Sequence, residues 1–187
     1  MKKDELKKLK AVLLYIIQHS KQDRRDVYSI VKTAYYAQQN HFVHWALPLF
    51  EDKIAALPFG PVPSAMYDIL KMARVDASVS VYQQNQVMKD VALSIGFENE
   101  RFYAKESADL DCLSVSDIES LNEAIEKVSC MNFDEIVADT HSQEWHRAYS
   151  SPGRHYMSDA NIAREAGADE SIVAYLQDSL DFSEALN

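Results

Sequence analysis

The chain has 187 residues, of which 47% are hydrophobic, with 19 basic and 29 acidic side chains and a formal charge of -10. That length and apolar content describe one folded domain with its own core and exclude a disordered chain. The acidic balance argues against a nucleic-acid backbone as partner. Only four glycines are present. Turn-rich β proteins need more, so the class leans towards helix.

Charge is unevenly spread. Residues 1–25 hold eight basic groups and three acidic ones, so the remainder holds 11 against 26, a net of -15. An acidic body suits solubility, or a basic protein partner. Cys112 and Cys130 are too few for a disulfide framework and fit a reducing compartment. The apolar run 11–17 lacks the cleavage site of a secretory signal, and no stretch reaches a membrane span in length, so the cytoplasm is the expected location.

The spacing of Leu6, Leu9, Leu13, Ile16 and Ile17 predicts a first helix over 4–18, with its lysines on a solvated face. Asp23 is the expected cap of a second helix running to about Asn40. The segment 41–61 is rich in aromatics and proline, and short extended pieces are expected over 49–57. Gly60-Pro61-Val62-Pro63 reads as a turn, followed by a third helix from Pro63 or Ser64 that buries Met66, Ile69, Leu70 and Ala73.

Residues 76–110 carry the weakest signal. Stretches 79–82, 87–95 and 101–104 read as short strands or loops, with room for one hairpin. Ser116-Asp117-Ile118-Glu119 reads as a capping box that opens a helix with Ile118, Leu121, Ile125 and Val128 inward. A short helix is expected over 133–140. Ser151-Pro152-Gly153 is a break, and helices over 158–166 and 169–180 follow, split by Gly167. The last stretch, 169–187, has five acids and no base. The expected organisation is a domain over 1–150 and a helical extension with an acidic tail over 151–187.

Catalytic signatures are weak. His41 and His44 lie three apart, and His141, Glu144 and His146 form a second cluster with His155 beyond. Neither carries the ligand set of a zinc site. Hydrogen bonds to backbone are the expected role of these histidines. Nothing places Cys112 or Cys130 beside a histidine. No glycine-rich phosphate loop and no DNA-reading helix stands out. No catalytic residue, metal or cofactor is therefore expected. The aromatic middle, with Tyr35, Tyr36, Phe42, Trp45, Phe50, Phe59 and Tyr67, is read chiefly as core, but aromatics also anchor protein interfaces.

Lys32-Thr-Ala-Tyr35-Tyr36-Ala37-Gln38, then Pro48-Leu49-Phe50, then Gly60-Pro61-Val62 with Tyr67, and finally Thr140-His141 followed by Trp145, occur in an order that resembles the Panacea domain. This family is also described as the SocA-like or phage-associated GepA-like antitoxin domain. The likeness spans about 9–149. Gln39 and Trp45-Ala46 stand where the family pattern has Gly and Tyr-Gly. The resemblance implies a mainly α (α+β) fold, with a small antiparallel β element inserted after the second or third helix. It also implies an antitoxin that neutralises a co-encoded toxin by direct binding, with a protein partner and no enzymatic activity. Tyr35, Tyr36, Ala37, Gln38, Gly60, Pro61, Val62, Tyr67, Thr140, His141 and Trp145 are its signature, read as mainly structural. Phe42, Trp45, Phe50 and Phe59 are the candidate partner contacts. The first helix or the extension after Ser151 is a candidate selector of the partner. The alternatives are an adaptor that delivers its partner to a protease, and a metal-dependent hydrolase built on His141, Glu144 and His146.

Overall fold

The computed structural model describes residues 2–75, 86–153 and 155–185. Helices dominate them, with two small antiparallel hairpins. This is the mainly α architecture expected, with one hairpin more than the sequence suggested.

Helix α1 (Lys3–His19) buries the predicted stripe, and also Ala11, Val12, Leu14 and Tyr15, because neighbours cover nearly its whole second half. Its lysine face is more than a solvated surface. Lys8 lies 3.0 Å from the buried Asp117, and Lys10 pairs with Glu106 at 2.5 Å. A turn of 3-10 helix at Gln22–Arg24 takes up Asp23, so the cap of α2 (Val27–Trp45) is Asp26, which accepts from the Ser29 amide at 2.9 Å. Helix α2 runs past the expected end at Asn40 and stops at Ala46, whose φ of 54° is left-handed. The resembling family carries glycine there, the residue that adopts this conformation without strain.

Strands β1 (Ile54–Leu57) and β2 (Gly60–Pro63) form a tight hairpin with Leu57 opposite Gly60. Helix α3 (Ser64–Arg74) follows directly and buries Met66, Ile69 and Leu70, with Ala73 half-buried against the core. Its first-turn amides at Ala65 and Met66 are both taken by the Asp52 carboxylate at 3.0 Å. The expected extended piece at 79–82 lies outside the described residues. The stretch read as a strand from Val87 is instead α4 (Gln86–Leu93), and the strand begins only at Ile95. Its apolar residues at 88, 91 and 92 fit one helical face as well as a short strand, an ambiguity that a run this short leaves open. β3 (Ile95–Glu98) pairs with β4 (Arg101–Ala104) through a turn in which Asn99 and Glu100 both have positive φ.

Helix α5 (Val115–Cys130) is the main neighbour of α2. Its capping box is set two residues earlier than the sequence suggested. Ser114 Oγ accepts from the Asp117 amide at 3.1 Å, and Asp117 Oδ2 accepts from the Ser114 amide at 2.8 Å. Ser114 won over Ser116 because it places Asp117 inward, against Lys8 and His41. Helix α6 (Phe133–Thr140) has a capping box of Asn132 and Glu135. Helix α7 (Gln143–Ser150), not anticipated as a helix, is capped by Ser142.

Helices α8 (Asp159–Glu165) and α9 (Glu170–Ala185) are separated at Gly167, as expected. The approach to α8 lies along β1. His155 accepts from the Ala56 amide at 2.7 Å, and the Met157 amide donates to Ile54 at 2.9 Å. Met157, Ala160, Ile162, Ala163, Val173 and Leu176 are buried in the same core as α1 and α2.

Candidate protein-interaction surface

The family-like residues converge on the β1–β2 hairpin and hold it on either side of its turn. Trp145 Nε1 donates to the Leu57 carbonyl at 3.1 Å, and Lys32 Nζ donates to the Pro61 carbonyl at 2.9 Å. Between these anchors the turn places Phe59 outward, 63% exposed. Gly60 has φ +97°, and a Cβ there would lie 2.5 Å from Lys32 Nζ and 2.7 Å from Thr140 Oγ1. Glycine is needed at this point both for the backbone angle and for the close approach.

Lys32 is wholly buried, and desolvation pushes its amine down from 10.5 to about 7. Its Nζ also lies 5.4 Å from the centre of the Tyr28 ring. Thr140 donates back to Ile136 at 2.7 Å, ending α6 beneath the hairpin. His141 stacks on Trp145 with centroids 3.7 Å apart, and Tyr149 stacks on the far side at 4.8 Å. Burial, then Lys32 and His146, lower the pKa of His141, and its Nε2 is buried with no hydrogen-bond partner.

The remaining signature residues brace the frame. Gln38 binds the Leu49–Phe50 segment from inside: its Oε1 accepts from the Leu49 and Phe50 amides at 2.9 and 3.2 Å, and its Nε2 donates to Phe50 at 3.3 Å. Tyr36 donates to Asp139 at 2.7 Å, and burial together with that bond raises its pKa. Tyr35 and Ala37 are core, Val62 is buried in the hairpin, and Tyr67 is half-buried with Lys71 over its ring at 4.6 Å.

The four aromatics considered as partner contacts divide. Phe42 and Phe50 are buried, so a docked partner cannot reach them. Phe42 lies on the inner face of α2 because that helix continues through it. Trp45 and Phe59 are 48% and 63% exposed. Sequence reading missed Phe133, which is 48% exposed and meets Phe59 edge-on at 5.8 Å and Tyr28 at 4.8 Å. Its spacing from Ile136 and Thr140 reads as an inward stripe. At the first turn of α6, however, the side chain reaches the hairpin tip instead. Leu47 beside Trp45 is likewise half-exposed.

His41 and Glu144 are engaged within the fold. His41 Nδ1 bonds Leu47 O at 2.8 Å, and its Nε2 lies 3.2 Å from Asp117. Burial alone would raise the Asp117 carboxyl, but the close approach of His41 and Lys8 and the bonds from Ser114 outweigh it and hold it well below the usual carboxylate range. The buried Glu144 accepts from Arg147, from the Ser158 amide at 2.6 Å and from Asn161 at 2.9 Å. Among the described residues no group of three or more His, Cys, Asp or Glu side chains is placed to hold a metal ion. No helix among them is long and apolar enough to cross a membrane.

The family model described as "Antitoxin SocA-like, Panacea domain" matches residues 30–146, more than half of the chain. The chain belongs to the SocA-like Panacea domain family. No curated protein and no solved structure matches it. The match begins within α2 and ends just past Trp145, so it takes in the hairpin and both of its anchors. Membership implies a toxin–antitoxin role and a protein partner.

Proposed function

We propose that this protein is the antitoxin of a toxin–antitoxin pair, neutralising a co-encoded protein toxin by direct binding and without catalysing a reaction. The observation that carries the reading is the Panacea match across residues 30–146. The geometry around the hairpin agrees with it. Exposed aromatics stand on a frame anchored by Lys32, Gln38 and Trp145. Such anchors, ringed by ordinary contacts, are sufficient for tight association over an interface of standard size. Neutralisation would then be occlusion of the toxin. The acidic body, net -15 beyond residue 25, would speed encounter with a basic toxin.

The test is co-expression with the product of each adjoining reading frame. One such product is expected to stop growth alone, to be tolerated with this protein, and to co-purify with it as a stable complex. Rescue without a complex, or no rescue by this protein, overturns the proposal. Rescue that disappears in cells lacking their ATP-dependent proteases replaces occlusion with delivery of the toxin for degradation.

A further inference from the structure

Helices α2 and α5 lie side by side in opposite directions. His41 of α2 is 3.2 Å from Asp117, Asn40 is 3.2 Å from Glu123, and the Tyr36 ring is 4.0 Å from Lys127 Nζ. The seam between them is marked at both ends by exposed apolar side chains. At one end, Trp45 and Leu47 are about half-exposed, and a cavity of about 310 Å³ is lined by His44, Trp45, Glu119, Ser120 and Glu123. At the other end stand Phe133 and Phe59. From Tyr28, which touches Phe133, to Trp45 the α2 axis rises about 25 Å.

Between these ends the seam is acidic. Glu119, Glu123 and Glu126 of α5 are exposed, and so are Asp134 and Asp139 of α6. Lys127 is the single basic residue of either helix, and Asp139 sits 2.9 Å from it. Asp26 and Asp134 both act on Tyr28, which burial first, and then these two charges, raise to about 12. The outward charge of the strip is therefore strongly negative.

We infer that this seam is the docking track for a basic, amphipathic helical segment of a partner protein. Its apolar side chains would sit on Trp45 at one end and on Phe59 and Phe133 at the other. Its Lys or Arg side chains would lie over Glu119, Glu123 and Glu126. This deepens the antitoxin reading and rests on its premise of a protein partner. A straight seam of about 25 Å accepts a helix of about 16 residues. Basic residues on that helix complete the charge pattern, and guanidinium groups also stack on the exposed rings. A second copy meeting this seam through its own seam would bring like charge against like charge. Anionic lipid or nucleic acid would be repelled in the same way.

The experiment pans a phage-displayed library of random peptides, about 16 residues long to match the seam, on the wild-type protein. The best binder is synthesised and titrated by fluorescence polarisation. The expected binders carry net positive charge with apolar residues near both ends, and added salt weakens them. Phe59→Ala with Phe133→Ala, and separately Glu119→Lys with Glu123→Lys, should each weaken binding at least about tenfold. Leu93→Ala, an exposed position on α4, should leave it unchanged. Circular dichroism checks that every variant is folded. An empty selection, neutral or acidic binders, or binding that ignores both double variants would overturn the inference. Peptide binding that tracks the seam while no adjoining product is neutralised removes the antitoxin reading and keeps the track. Neutralisation untouched by both double variants does the reverse.

Discussion

Lys32 makes the stability of this protein depend on pH in a direction that can be stated in advance. Its ammonium has no exposure to water, and desolvation lowers its pKa from 10.5 to about 7. Between those values the unfolded chain holds a proton on Lys32 that the folded chain has released. Unfolding free energy therefore rises with pH across this window, by at most about 1.4 kcal/mol per unit. The stabilisation is fully present only above the unfolded value and is lost as pH falls towards 7. Moved from 10.5 to about 7, the group spans about 5 kcal/mol from end to end. Tyrosines act oppositely near pH 10 and above, because Tyr28 is held up to about 12 while unfolded tyrosine ionises first. Below the tyrosine range, from about pH 7.5 to about 9.5, Lys32 is worth roughly 2 to 3 kcal/mol, with the Cys112 thiol, pushed up by burial, acting against it near the top.

Lys32→Met keeps the apolar stem and removes the titration. It also leaves the Pro61 carbonyl without its donor, a constant loss of about 1 to 3 kcal/mol. Urea denaturation of both proteins, followed by circular dichroism at several pH values, isolates the effect. The difference, wild type minus variant, should climb by about 1 kcal/mol per unit or slightly more across the interval. Other titrating groups cancel in that difference. A flat difference would show that the amine titrates alike in both states, and the reasoning about its burial would fail.

Two backbone predictions accompany it. Ala46→Gly should stabilise the protein by about 1 kcal/mol, because Ala46 ends α2 with φ 54° and glycine adopts that angle freely. An unchanged or lower melting temperature would contradict this. Gly60→Ala should cost about 3 kcal/mol or more, from φ +97° and from the approach of the new methyl to Lys32 and Thr140. A near-normal melt would mean that the hairpin can move away from α2 without loss.

The long amphipathic helices were legible because their signal is periodic and their burial follows it. Leu6, Leu9 and Leu13, or Leu121 and Val128, needed no tertiary knowledge. The errors lie where two local solutions compete. Asp23 and Asp26 both suit a cap, and the 3-10 turn decides between them. Ser114 and Ser116 both open plausible boxes, and the buried partners of Asp117 decide. The candidate surface was legible only in part. Trp45 and Phe59 fall in the aromatic stretch that drew notice, as do the buried Phe42 and Phe50. Exposure separates them, and it depends on how far α2 runs and which way the hairpin turns. Phe133 carried no signal, because its spacing belongs to an inward face and only the hairpin tip beside it gives it an outward role.

On the proposed reading, the buried anchors and the exposed surface are two parts of one device. Lys32 and Trp145 engage carbonyls on either side of the hairpin turn, not the exposed ring. Fixing Leu57 and Pro61 fixes the backbone that carries Phe59 without covering its side chain. Gly60 lets that backbone pass close to Lys32 and Thr140. A loop anchored before binding loses little conformational freedom when a partner arrives, so more of the contact energy appears as affinity.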